Sequence, residues 1–232
     1  MKLVLYLLLF VSFGIQANPL YCTGDSQTQV RAPLVAAPDT YCALLATVRG
    51  SAFSNIAVPS AKTSDWLATQ VPQLTSATPG CVTVMIGIND GWIDPATPQP
   101  WPNGPISSTQ TKTNIEAGVQ AILNAGHQVT IFTSYAMWWT VNLSTIPSYI
   151  RAQKSAAIAK GVPAIDAYAI AANCWLQVAG SAQYQTCVTR YTDDVLPPAE
   201  IGVWSHPAKA GHVAIADLCN LAQNANACAC KP

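Results

Sequence analysis

The sequence has few charged residues. They make up 9% of the 232 residues, and the formal net charge is zero. It has no run of lysine or arginine of the kind that binds phosphate backbones, which argues against a nucleic-acid partner. Beyond the N-terminus, no apolar run approaches the ~20 residues that a membrane span needs. Half of the residues are hydrophobic, so the chain can bury enough surface to fold, and disorder is not expected.

The first 17 residues are mostly apolar and contain a single charged residue. Lys2 precedes an apolar stretch from Leu3 to Phe13, and the segment ends in Ala17. This pattern is typical of a secretory signal peptide. We therefore predict a signal peptide at 1–17 and one domain at 18–232, secreted or periplasmic and without stable membrane insertion. The alternative is that the segment is retained as an N-terminal anchor.

All eight cysteines follow the predicted cleavage point, at Cys22, Cys42, Cys81, Cys174, Cys187, Cys219, Cys228 and Cys230. An even number behind a signal peptide predicts disulfides, although eight cysteines allow 105 connectivities. Cys174 and Cys187 bracket a polar loop and form the predicted pair. A metal site is the alternative, but Cys228 and Cys230 have a one-residue spacer and no nearby histidine, so no metal is expected.

Apolar, strand-like runs alternate with helical stretches along the chain. The predicted strands are 18–22, 51–58, 82–88, 128–133 and 162–167, and the predicted helices are 40–48, 109–124, 146–160 and 207–222. A loop at 94–105 contains five prolines, which exclude regular structure. The alternation predicts an α/β fold with a mainly parallel sheet and helices on both faces.

Three short motifs follow predicted strands or precede the last helix. They are Gly-Asp-Ser at 24–26, Gly-Ile-Asn-Asp at 87–90 and Ser-His-Pro at 205–207. Ser26, Asn89 and His206 offer a nucleophile, an amide donor and a general base, which acyl transfer needs. The carboxyl ends of parallel strands share one edge of the sheet, so we expect these side chains to lie together. Taken singly, each motif is also typical of an ordinary turn or helix start.

In these motifs the chain resembles the SGNH hydrolases, also called the GDSL esterase/lipase family, from position 24 to position 212. The resemblance implies a flavodoxin-like, three-layer α/β/α sandwich, the SGNH hydrolase fold. It also implies a serine esterase with Ser26 as nucleophile, Asn89 as oxyanion donor and His206 as base. No cofactor or metal is implied. His127 and His212 are interpreted as structural, and Asp90 as a brace for the turn at Asn89.

The chain departs from this family at two positions. Where members carry an oxyanion-hole glycine, this sequence has Ser60. A backbone N–H is independent of its side chain, so Ser60 is expected to complete the oxyanion hole with Ser26 and Asn89. Where members carry an aspartate three residues before the histidine, this sequence has Val203.

Three hypotheses therefore remain for the identity of the group that orients His206. A main-chain carbonyl near Val203 or Trp204 accepts the Nδ1–H bond, which is the favoured hypothesis because it needs no special loop geometry. Alternatively, a carboxylate loops back from the preceding segment, with Asp193, Asp194 and Glu200 as candidates. In the third case the histidine is unsupported and turnover is slow.

Aromatic residues follow two of the predicted strands. Trp92 and Trp101 flank the proline-rich loop, and Trp138 and Trp139 follow another strand end. Such side chains either stack on sugars and acyl groups or simply cover the core. Together with the absence of a long apolar lid segment, this favours short acyl or O-acetyl esters on a small molecule or polysaccharide. The rival hypothesis is a catalytically weak module that binds glycan, and Val203 is its main support.

Overall fold

A computed structural model describes residues 18–29, 35–91, 105–135, 145–175, 206–221 and 227–230. The predicted signal peptide and nearly all of the proline-rich loop lie outside these residues. Within the described ranges, no helix is long and apolar enough to cross a membrane.

Five strands form one fully parallel sheet. They are β1 (Leu20–Gly24), β2 (Phe53–Asn55), β3 (Cys81–Met85), β4 (Gln128–Phe132) and β5 (Ala164–Ile165), in the spatial order β2-β1-β3-β4-β5. This is the flavodoxin-like order: β2 lies on one side of β1 and β3 on its other side, so the topological switch point lies between β1 and β3. All five residues of β3 are buried, as expected of a continuous apolar, β-branched run covered on both faces. Each strand had been predicted, although the one before Ser26 is shifted by two residues.

Six α-helices connect and cover the strands within the described residues. They are α1 (Tyr41–Arg49), α2 (Thr63–Thr75), α3 (Ser108–Asn124), α4 (Ile146–Lys160), α5 (Tyr168–Trp175) and α6 (Lys209–Asn220). Residues Ala37–Asp39, Asn89–Gly91 and Cys228–Cys230 form short 3₁₀ turns. Helices α2 and α5 were not predicted from the sequence. Pro72 lies inside α2, where proline ordinarily argues against a helix, yet Trp66, Val71 and Leu74 of this helix are buried.

The helices lie in two layers, one on each face of the sheet. Trp66 of α2, Ile115 of α3 and Ala156 of α4 pack in one cluster with the side chains of β3 and β4. Leu45 of α1 and Ile215 of α6 pack on the opposite face, against Leu20, Met85 and Phe132, with α5 beside them. The fold is therefore the predicted three-layer α/β/α sandwich.

The contact between α2 and α3 depends on a small residue. Gly118 lies in the middle of α3, where a Cβ atom would stand 2.3 Å from the ring of Trp66. Such a distance is far inside van der Waals contact, so any side chain at this position would displace the indole. Gly118 lets the two helices approach closely enough to bury Trp66 completely.

Two described disulfides fasten the sheet to its surroundings. Cys22 of β1 bonds to Cys42 of α1, and Cys81 of β3 bonds to Cys228 near the C-terminus. Cys219 of α6 is also disulfide-bonded. The bond at Cys228 occupies a sulfur that the alternative metal site would have needed. Cys187 lies outside the described residues, so the predicted Cys174–Cys187 pair stays a prediction.

Near the amino ends of the strands, the described side chains make structural hydrogen bonds. His127, just before β4, accepts a hydrogen bond at Nδ1 from the backbone of Gly80 (3.1 Å), and its Nε2 lies 2.8 Å from the carbonyl oxygen of Leu74. His127 thus has the structural role expected for it. Nearby, Arg49 donates to the carbonyl oxygens of both Asn18 and Cys228.

Candidate active site

Ser26 and His206 meet at the carboxyl edge of the sheet. Ser26 lies two residues beyond β1, and His206 lies in the segment that leads into α6. His206 Nε2 is 2.8 Å from Ser26 Oγ, and both side chains are half-buried. With the proton on Nδ1, Nε2 accepts the hydroxyl proton, which is the arrangement that activates a serine. The two residues are 180 positions apart in sequence and were expected to meet here.

Gly24 makes the turn that presents Ser26. Its φ is 140°, and a Cβ atom built there would stand 1.9 Å from the carbonyl oxygen of Met85. No other residue fits this combination of conformation and space. The following N–H, that of Asp25, donates to the same Met85 oxygen at 3.2 Å. The turn is therefore fixed to the end of β3, and Ser26 stands at the topological switch point between β1 and β3.

A second loop runs beside Ser26 and carries Ser60. Ser60 has φ 60° and is the only residue other than glycine with a positive φ in the described ranges, so its backbone is left-handed. The Asn89 side chain donates from Nδ2 to the carbonyl oxygen of Ala61 at 3.0 Å. That contact uses one of the two Nδ2 hydrogens and fixes the plane of the amide. Within the described ranges, the N–H groups of Ser26 and Ser60 make no hydrogen bond.

Asp90 braces the turn at Asn89 from behind. Its carboxylate accepts from the backbone N–H of Thr63 (2.8 Å), from the Thr63 hydroxyl (2.6 Å) and from the Thr111 hydroxyl. Burial raises the pKa of Asp90, and these hydrogen bonds oppose that shift because they favour the ionised form. The brace was expected, but it ties the turn to α2 and α3 rather than to its own backbone.

Asp25, directly before Ser26, is a buried carboxyl group with an incomplete set of partners. Oδ1 accepts from the Gln27 N–H at 2.9 Å, whereas Oδ2 has no partner among the described residues. Burial raises the pKa of Asp25 to about 7; the Gln27 hydrogen bond opposes the shift and the Asp90 carboxylate adds to it. Sequence reasoning gave this residue no role beyond its place in the motif.

Gln70 of α2 supports the same turn through its side-chain amide. Oε1 accepts from the Gly24 N–H at 2.9 Å, and Nε2 donates to the Gly24 carbonyl at 2.8 Å. The Thr23 hydroxyl also donates to Oε1, and it accepts from the Trp66 indole N–H at 2.8 Å. The Gln70 amide thus pairs with both backbone groups of Gly24, the last residue of β1. Sequence reasoning missed Gln70, and its spacing from the buried Trp66 on α2 was the available signal.

Two further buried amides hold the loop after β4. Gln27 accepts from the Tyr135 N–H at 2.9 Å and donates to the Tyr135 carbonyl at 3.2 Å. Gln153 of α4 accepts from the Ser134 N–H at 2.9 Å and donates to the Ile86 carbonyl at 2.8 Å. These uncharged side chains satisfy backbone groups without adding charge to the site.

His212 lies on α6, six residues after His206. Its Nδ1 accepts from the Tyr41 N–H at 3.3 Å, and its ring stacks on Tyr41 with centroids 6.0 Å apart. Burial lowers the pKa of His212 to about 4; the charge of His206 lowers it further and that of Asp39 opposes the shift. A neutral His212 therefore caps the first turn of α1, which agrees with the structural role expected for it.

Several predicted residues lie outside the described ranges. They are the candidate third members Asp193, Asp194 and Glu200, the Val203 and Trp204 segment, and the aromatic residues Trp92, Trp101, Trp138 and Trp139. Their proposed roles stay predictions.

A comparison with family models gives the identity of this arrangement. Residues 22–214 match the model of the GDSL-like lipase/acylhydrolase family, and this range runs from β1 to the first half of α6. The chain belongs to this family. Its members hydrolyse carboxylic esters, so this GDSL-like protein is a carboxylic ester hydrolase. No curated protein matches it.

Solved structures similar to this GDSL-like protein share its fold at low sequence identity. LAE5, an α/β hydrolase from the metagenome of Lake Arreo in Spain, is 18% identical, with a TM-score of 0.66 over 93% of this chain and 97% of its own. Axe2, an acetylxylan esterase from Geobacillus stearothermophilus, is 17% identical, with a TM-score of 0.64 over 88% and 93%. A lipolytic G-D-S-L family protein from Veillonella parvula is 14% identical, with a TM-score of 0.63 over 90% and 100%.

Proposed function

We propose that this protein is a secreted serine esterase that forms an acyl-enzyme on Ser26 with His206 as general base. The observation that carries the proposal is the 2.8 Å contact between His206 Nε2 and Ser26 Oγ. A half-buried serine in hydrogen-bond contact with an imidazole is the arrangement that nucleophilic catalysis requires. Membership of an acylhydrolase family supports the same reaction.

In the first half of the reaction, Ser26 Oγ attacks the ester carbonyl while Nε2 of His206 takes its proton. The carbonyl oxygen becomes an oxyanion, which receives hydrogen bonds from the N–H groups of Ser26 and Ser60 and from the second Nδ2 hydrogen of Asn89. Each such donor typically lowers the barrier by ~3–4 kcal/mol. His206 then protonates the alcohol as the carbon–oxygen bond breaks, which leaves the acyl group on Ser26.

In the second half, water replaces the alcohol. His206 takes a proton from the water as it attacks the acyl carbonyl, and the same donors hold the second oxyanion. Collapse of this intermediate returns the proton to Ser26 Oγ and releases the carboxylic acid. The group that orients His206 is a carbonyl near Val203 in the favoured hypothesis, with Asp193, Asp194 and Glu200 as the alternatives.

We further propose that the substrate carries a short acyl or O-acetyl group on a carbohydrate or small molecule. The tryptophans that flank the proline-rich loop and those that follow another strand end support this, and one structure of similar fold is that of an acetylxylan esterase. Disulfides at Cys22–Cys42 and Cys81–Cys228 support an oxidising compartment, secreted or periplasmic.

The test is active-site labelling of the purified protein with a fluorophosphonate probe. Wild type should be labelled and should hydrolyse p-nitrophenyl acetate, and Ser26→Ala should lose both properties. Ser54→Ala, a serine on the edge strand β2, is the matched control and should behave as wild type. Equal labelling of wild type and Ser26→Ala would refute the assignment. Failure of wild type to label or turn over would instead favour the glycan-binding module.

A further inference from the structure

The peptide group of Gly24 joins the two loops of the site. Its carbonyl oxygen accepts from Gln70 Nε2 at 2.8 Å and from the Val58 N–H at 3.1 Å. Gly24 lies two residues before Ser26, and Val58 lies two residues before Ser60. The position of this one carbonyl therefore affects both the nucleophile and the loop that carries the Ser60 N–H.

The amide of Gln70 has only one orientation that fits its surroundings. Oε1 accepts from both the Gly24 N–H and the Thr23 hydroxyl, whereas Nε2 faces the Gly24 carbonyl. The Trp66 indole N–H donates to Thr23, so the threonine hydroxyl must direct its own proton towards Oε1. A flipped amide would set donor against donor and acceptor against acceptor. Because Gln70 is completely buried, no solvent competes for these bonds.

Resting on the function proposed above, we propose that Gln70 is a positioning residue for the esterase reaction. Its amide fixes the Gly24 peptide, and through it the separation between Ser26 Oγ and the N–H of Ser60. Gln70 does not touch the reacting atoms. A misplacement of about 1 Å between a nucleophile and its oxyanion donors can cost on the order of 10²-fold in rate.

The first experiment replaces the amide while keeping the side-chain volume. Gln70→Met removes both hydrogen bonds to Gly24, and Gln70→Glu keeps the acceptor but sets an oxygen against the Gly24 carbonyl. With p-nitrophenyl acetate, both variants should lose roughly 10- to 100-fold in kcat, with KM changed less than about threefold, because ground-state binding is retained. Gln73→Glu is the matched control. Gln73 is exposed on the same helix, and among the described residues it donates to the Thr69 carbonyl of that helix, so its variant should match wild type.

The second experiment separates positioning from general loss of stability. Leu74 is buried on α2, and Leu74→Ala should lower the urea midpoint by creating a cavity. Its kcat should nevertheless stay within about twofold of wild type, measured where both proteins are folded by circular dichroism. If the Gln70 variants, measured on folded protein, also keep kcat within about twofold of wild type, the positioning role is refuted.

The third experiment tests coupling to the oxyanion hole. If Gln70 sets the distance to the donors, Asn89→Ala should cost at least threefold less in a Gln70→Met background than in wild type. Additive losses would overturn the proposal. If activity depends on Ser26 but the kcat of Gln70→Met matches that of wild type, only the positioning role of Gln70 is refuted. Activity that does not depend on Ser26 would refute the esterase mechanism itself.

Discussion

The buried Asp25 carboxyl group lowers the free energy of unfolding as pH rises, and a single isosteric substitution should remove this effect. The carboxyl group is completely buried, its Oδ2 has no partner among the described residues, and its pKa is about 7 instead of 3.8. Asp25→Asn replaces a group that ionises by a neutral amide of the same shape. Its Oδ1 can still accept from the Gln27 N–H, so the turn before Ser26 should be preserved.

The magnitude follows from the difference between the folded and unfolded pKa. In the folded protein Asp25 keeps its proton up to about pH 7, whereas the unfolded chain releases it above about pH 4. Because the folded state binds the extra proton, the stability contributed by Asp25 is greatest at low pH and falls as pH rises towards 7. About three pKa units at 1.36 kcal/mol each amount to a cost of about 4 kcal/mol above pH 7. At pH 5 the cost is about 1.5 kcal/mol.

Urea unfolding, followed by circular dichroism, measures this cost directly. The stability advantage of Asp25→Asn over wild type should grow by roughly 2–3 kcal/mol between pH 5 and pH 8. Asp217→Asn, which alters an exposed aspartate on α6, should reproduce the wild-type pH profile. Parallel profiles for wild type and Asp25→Asn would refute the reasoning, because they would mean that Asp25 titrates alike in both states.

Three other outcomes are expected. Asn89→Ala should lower kcat by ~10²–10³ with little change in KM, and a change confined to KM would show that the amide binds substrate instead. Ser60→Gly should keep kcat within about threefold because the backbone N–H remains, whereas Ser60→Val should lose roughly 1–3 kcal/mol in urea unfolding because a β-branched residue resists φ 60°. Removing the Cys81–Cys228 bridge, which closes a 147-residue separation, should cost roughly 5 kcal/mol, against about 3 for the 20-residue bridge. Equal losses would contradict the chain-entropy argument.

The sheet could be predicted from sequence because its signals are local. The apolar, β-branched run that forms β3 predicts a buried strand by its own composition, and the motif residues directly follow such runs. Helix α2 could not be read in the same way, since Pro72 signals a break and only burial of Trp66 and Leu74 against neighbouring elements offsets it.

The support of the site is non-local and leaves little trace in the sequence. Gln70 is 46 residues from Gly24, and Gln27 is 108 residues from Tyr135. A glutamine in a helix ordinarily indicates a solvated face, so nothing in its identity indicates a buried partner elsewhere. The left-handed backbone at Ser60 was likewise hidden, because serine gives no signal of positive φ.

The contacts of Arg49 bear on where a tag or a further domain can be attached to this enzyme. One guanidinium reaches the carbonyl oxygens of both Asn18 and Cys228, so the two extremities of the described fold are neighbours. Both lie at the edge of the sheet where the strands start. The five residues of β1, at ~3.3 Å each, separate them from Ser26 by roughly 15 Å or more. A purification tag, a surface anchor or a fused carbohydrate-binding module attached at either point would therefore stay clear of incoming substrate. A short peptide linking the two points would permit circular permutation, with new ends opened elsewhere on the surface.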